Sequence, residues 1–157
     1  MRLLIDTLVA LMLIAILGGV ILHASNVREI DAKQEFARAE LHRFQQQINL
    51  RSVLSVSELP VQSHPATIDP AWFKDSLPRN PFLNDGHPWV EIALPDCKHM
   101  LDPPNLIASE PSIASFWYNP HTGVVRMRVP TGIPDVAALE LYNTINGTSL
   151  TSLFDRS

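Results

Sequence analysis

The residues best equipped for chemistry in this chain lie in Asp96-Cys97-Lys98-His99, with Asp102 close behind. Carboxylate, thiol and imidazole are the ligand types of a zinc site, but their spacing here follows no usual zinc pattern. A Cys97–His99 nucleophile pair would need a third group to orient the imidazole, and the sequence offers none. The remaining histidines, His23, His42, His64, His87 and His121, are scattered. No Gly-x-Ser-x-Gly, phosphate loop, dinucleotide fingerprint or His-Glu-x-x-His occurs. A single cysteine permits no internal disulfide. The expectation is a protein that is not an enzyme, with no catalytic residue, no metal, no cofactor and no identifiable small-molecule substrate.

A different chemistry is written near the amino terminus. Residues 3–22, LLIDTLVALMLIAILGGVIL, hold only Asp6 and Thr7 as polar side chains. A carboxylate in an apolar span costs about 2.5–3.5 kcal/mol on insertion scales, so such a group usually has a task. Asp6 could simply reach the headgroups from the start of the span. The sharper reading is a cationic partner, most simply Arg2 or a terminal amine of a neighbouring chain. Gly18-Gly19 would allow close helix–helix approach in lipid.

These residues need an element to hold them. About 20 apolar residues span a bilayer as a helix. A cleaved signal peptide ending near Ala24 is the competing reading. The apolar run is longer than a usual signal core, and the helical pattern continues beyond it, so a lasting anchor is expected. Val27, Ile30, Gln34, Ala37, Leu41, Phe44 and Ile48 follow steps of three and four and share one face, broken only by Gln34. No Gly or Pro interrupts residues 20–59, so one helix from about Leu3 to Leu54 is expected, roughly 75 Å long. All 13 prolines fall between Pro60 and Pro134. The expected organisation is a transmembrane segment over 1–26, an amphipathic continuation over 27–56 and a proline-rich head over 57–157. Arg2 and the α-amino group are the only cations before the span, and Arg28 and Lys33 are mixed with acids after it, so charge bias is weak. A short flank kept inside while a folded head is exported gives a single-pass inner-membrane protein, N-terminus cytoplasmic and head extracytoplasmic. A net charge of −4 argues against a nucleic-acid partner.

The helix resembles the N-terminal helix of type IV pilin-like proteins, including type II secretion pseudopilins. That family opens its mature chain with a pattern close to F-T-L-I-E and an aliphatic run. Here Arg2 takes the Phe place, Leu4-Ile5 match Leu-Ile, Asp6 takes the Glu place, and Leu8-Val9-Ala10-Leu11 continues in the family manner. The resemblance covers about the first 50 residues. It implies that Asp6 neutralises a neighbour's amine during assembly, and that the partners are the bilayer and other pilin-like subunits, identical or different. Major pseudopilins often carry a calcium loop near the C-terminus. Its acidic, glycine-rich pattern is missing, and Asp135 with Glu140 does not replace it.

In the head, Asp69-Pro70-Ala71-Trp72-Phe73 reads as a short helical turn with Asp69 capping. Asn80-Pro81-Phe82 sits in an extended stretch resembling a pseudopilin loop, and Asn84-Asp85-Gly86 is a turn. Trp89–Leu94 is a candidate strand. Phe116-Trp117-Tyr118-Asn119 and Val124–Val129 flank a Pro/Gly turn and predict a hairpin, with Gly123 at positive φ. Val125, Met127 and Val129 then face the core, and Arg126 and Arg128 form a solvated face. Pro134-Asp135 opens a last helix with Ala138, Leu141, Tyr142 and Ile145 inward, ended by Asn146-Gly147. Asn146-Gly147-Thr148 also has glycosylation spacing. The expected fold is α+β and pilin-like, a long N-terminal helix packed on a small antiparallel sheet, with a short C-terminal helix. The expected function is a pilin-like structural subunit of a type II secretion or type IV pilus-like apparatus. The alternative is a single-pass anchored binding protein that does not polymerise.

Overall fold

The computed structural model describes residues 2–55, 64–74 and 76–153, with the side chains of residues 2–6, 10 and 55 outside that description. Helix α1 spans Arg2–Ser55 without a break, as a stretch free of Pro and nearly free of Gly allows. The chain divides into two units, residues 1–33 and 34–157.

In the first unit, the large apolar side chains from Leu8 to Leu22 that are described stand exposed. No residue in the apolar window of α1 is buried in the protein, and the helix is long and apolar enough to cross a membrane. Further along, Glu29 and Lys33 form an exposed i,i+4 pair at 2.8 Å.

In the second unit the same helix changes role. Ala37, Leu41, Phe44 and Ile48 are the helical spine of the core. Phe44 stacks on Trp89 with centroids 5.1 Å apart and meets Phe73 and Phe116 edge-on at 5.3 and 5.2 Å. Such aromatic pairs add stability beyond their buried area.

Five short strands follow: β1 (Val90–Ile92), β2 (Ile107–Ala108), β3 (Phe116–Asn119), β4 (Val124–Met127) and β5 (Val129–Pro130). The main sheet has the order β1-β3-β4, and β2 pairs with β5 separately. β3 and β4 form the expected antiparallel hairpin, Phe116 opposite Met127 and Asn119 opposite Val124. The expectation of a wholly antiparallel sheet is corrected: β1 runs parallel to β3, and β2 parallel to β5. Parallel neighbours need a crossover, and residues 93–115 supply it with a 3-10 turn at Pro95–Cys97 and the two-residue β2.

Helix α2 covers Asp135–Asn146 and buries Ala138, Leu141, Tyr142, Ile145 and Asn146. Gly147 ends it in the left-handed region, φ 62°, its N–H returning to Asn143 O, a geometry that suits glycine. The turn at Pro70–Trp72 has Asp69 Oδ1 accepting from Ala71 N–H at 2.9 Å. The architecture is α+β: a long N-terminal helix, a three-stranded sheet with a two-stranded companion, and a short C-terminal helix.

Candidate functional site

A chain rich in proline has more backbone carbonyls than N–H donors, and buried carbonyls need partners. The head meets this with side-chain donors. Asn119 Nδ2 donates to the carbonyls of Cys97, Lys98 and Met100 at 3.0, 3.3 and 2.8 Å. Arg128 Nε donates to Asn105 O and its Nη1 to Ala114 O, at 2.8 and 2.9 Å. Trp89 Nε1 reaches Pro78 O, and Tyr118 Oη reaches Pro65 O. The crossover is thus pinned by guanidinium and carboxamide groups on the β3–β4 face that points away from Phe44.

This corrects the solvated face expected for Arg126 and Arg128. Arg128 is 1% exposed, and its Nη2 pairs with Glu91 at 2.8 Å. Arg126 Nε pairs with Asp102 Oδ1 at 2.8 Å. Alternation of apolar and charged residues marks two faces of a strand but does not say that either meets water.

Asp102, the acid that follows the Asp96–His99 run, is drawn into this structure. Its Oδ1 also accepts from Tyr142 Oη at 2.9 Å. Burial, then the Asp102 charge and hydrogen bond, push the Tyr142 phenol well above its ordinary range. Burial raises Tyr118 in the same direction. Cys97 ends the 3-10 turn, partly buried. Among the described residues no three His, Cys, Asp or Glu side chains converge on a common point that could hold a metal ion. A cleft of about 460 Å³ beside Asp102 is lined by His99, Met100, Leu101, Pro103, Pro104 and Leu153 among others, a surface of mixed polarity.

Sequence reading did not find the pair Ser52–His64. Ser52 Oγ lies 2.8 Å from Ile48 O and 2.9 Å from His64 Nδ1. The His64 ring lies against Gly123, whose φ is 71°. With Ser52 8% exposed and hydrogen-bonded to its own helix, the pair ties the hairpin turn to α1 and does not present a nucleophile. Asn146 is likewise no glycosylation acceptor in the folded head: it is 8% exposed, and its carboxamide bonds Met127 N–H, Met127 O and Tyr142 O.

The expected assembly residues fall in the first unit. Arg2 and Asp6 lie in α1, and their side chains are outside the described residues. A Cβ added at Gly18 or Gly19 would meet nothing within 4 Å, so both positions are open on the single chain. No family model matches this chain, and no match is found among curated proteins or among solved structures.

Proposed function

We propose that this protein is a pilin-like structural subunit of a type II secretion or type IV pilus-like apparatus. In this reading the first part of α1 anchors it in the inner membrane, with the N-terminus cytoplasmic and the head outside. One observation carries the reading. A single uninterrupted helix supplies an exposed apolar run from Leu8 to Leu22 and then, at Ala37, Leu41, Phe44 and Ile48, the core of an α+β head. Such a helix suits lipid and the equivalent helices of neighbouring subunits at one end and a folded head at the other. The head's polar clusters are spent on its own backbone, which suits a structural role better than catalysis.

Within this reading Asp6 neutralises the amine or Arg2 of an adjacent subunit, and Gly18-Gly19 permit close approach of helices. Breaking a buried ion pair by removing one partner commonly costs ~3–5 kcal/mol. Asp6→Asn keeps the shape and removes the charge, so association should weaken by orders of magnitude while the head melts as before. Cysteines placed at Leu8 or Leu11, in a Cys97→Ser background, would report helix proximity by in-membrane cross-linking. Equal cross-linking with and without Asp6→Asn would sink the assembly role and leave an anchored, non-polymerising binding protein.

A further inference from the structure

A groove of about 560 Å³ lies between α1, β4 and α2 within the second unit. Ala39, Leu41 and Ile145 form its apolar side, with Val125 beneath. The titratable side chains in its lining are Arg38, His42 and Arg126. All three are bases, in a chain whose net charge is −4, and among the described residues no carboxylate lines the groove.

Each arginine is held by one nitrogen. Arg38 Nε donates to Thr144 O at 2.9 Å, in the last turn of α2, where a cation is favoured. Arg126 Nε donates to Asp102 Oδ1 at 2.8 Å. Neither guanidinium makes another hydrogen bond or ion pair with the protein. Asp102 balances the charge of Arg126, whereas Arg38 has no acid of its own. Glu35, one turn earlier on α1, is exposed and forms no ion pair with it. A guanidinium fixed at Nε keeps its Nη groups for another acceptor. Planar forks of this kind take carboxylates by two parallel bonds. Because the protein already holds them at Nε, less side-chain freedom is lost on binding than at a loose surface arginine.

We propose that this groove is a docking site for an acidic segment of a partner protein. Arg38 and Arg126 hold the carboxylate of one Asp or Glu, and a neighbouring apolar side chain of the segment lies against Ala39, Leu41 and Ile145. Arg clusters are a recurring means of capturing acidic motifs. A protein segment is favoured over a small hydrated anion because the bases stand beside apolar surface, which such an anion would leave uncovered. The site lies wholly in the second unit, so it holds whichever role the first part of α1 plays in the membrane.

The test uses the full chain in zwitterionic detergent micelles. Nuclear magnetic resonance reads the Arg38 and Arg126 Nε–H signals and the Ala39 and Ile145 methyls. Three probes are titrated: the blocked tripeptide acetyl-Leu-Glu-Leu-amide, its Leu-Gln-Leu counterpart, and inorganic phosphate. The Glu peptide should shift these signals saturably, and the Gln peptide should bind at least about tenfold more weakly, the weight of one charge-assisted hydrogen bond. Arg38→Gln should weaken the Glu peptide by a similar factor while the Val125 and Met127 amide signals stay in place. Equal affinity for the Glu and Gln peptides, no saturable shift at these positions, or unchanged binding in Arg38→Gln would overturn the proposal. Phosphate binding as tightly as the Glu peptide would overturn it too, by making the groove a site for small anions. Should Arg38→Gln disturb the hairpin signals, Arg38→Lys keeps the charge without the planar fork. It should still bind the Glu peptide more weakly than wild type, and unchanged binding would overturn the proposal.

Discussion

Replacing Gly123 by alanine tests the tie between hairpin and helix at one atom. The φ of 71° is where glycine is at ease and an L side chain is strained, at a cost of roughly 1–2 kcal/mol. The new Cβ would also collide with the His64 ring, 2.6 Å from both Nδ1 and Nε2, well inside van der Waals contact. The ring would have to move, giving up its 2.9 Å bond to Ser52 Oγ. One net hydrogen bond is worth about 0.5–1.5 kcal/mol, so the total should be about 1.5–3.5 kcal/mol. The two parts separate in a double-mutant cycle with His64→Ala. Without the ring, Gly123→Ala should cost only its backbone share, leaving a coupling of about 0.5–1.5 kcal/mol. Denaturant unfolding read by Trp fluorescence suits the measurement, because Trp72, Trp89 and Trp117 all lie in the second unit. Equal costs in the two backgrounds would show that His64 does not rest on Gly123. A cost near zero in both would refute the left-handed geometry as well.

Phe44→Ala should lose about 3–5 kcal/mol, the range for a buried aromatic ring, and an unchanged melting temperature would remove Phe44 from the core. Arg128→Ala leaves Asn105 O, Ala114 O and Glu91 without the guanidinium they share. The expected loss is at least about 3 kcal/mol, and Arg128→Lys should recover little of it because one ammonium cannot reach three directions; full recovery in denaturant titration would contradict the clamp. Both buried tyrosines are raised in the fold, so their contribution is fully present below the unfolded value near pH 10 and declines as pH rises above it. Each should steepen the alkaline loss of stability by up to ~1.4 kcal/mol per pH unit, and Tyr142→Phe should make the stability–pH curve measurably shallower above pH 10; parallel curves would contradict its burial.

What was legible in the sequence is what depends on one stretch of backbone. The spacing of Ala37, Leu41, Phe44 and Ile48, and of Ala138, Leu141, Tyr142 and Ile145, follows from 3.6 residues per turn and needs no knowledge of the partner surface. Asp69-Pro70, the turn at Gly123 and the stop at Gly147 are likewise local, set by capping and by the sign of φ. The apolar run after Asp6 is long and apolar enough to cross a membrane by length and composition alone.

The tertiary structure alone decided the rest. Val90–Ile92 reads as a strand, yet nothing within it says that it will lie parallel to Phe116–Tyr118, because that pairing depends on where residues 93–115 cross. Arg126 and Arg128 alternate with apolar residues as solvated side chains would, yet that proline-rich crossover buries Arg128 under carbonyls in need of donors and pairs half-buried Arg126 with Asp102. Gln45 and Asn146 look like ordinary polar positions on two helices. Only when those helices come to lie along β4 do their amides meet the outward N–H groups of Val125 and Met127. Side-chain periodicity is a property of one backbone, whereas the partner of a hydrogen-bonding group far away in the chain is a property of packing.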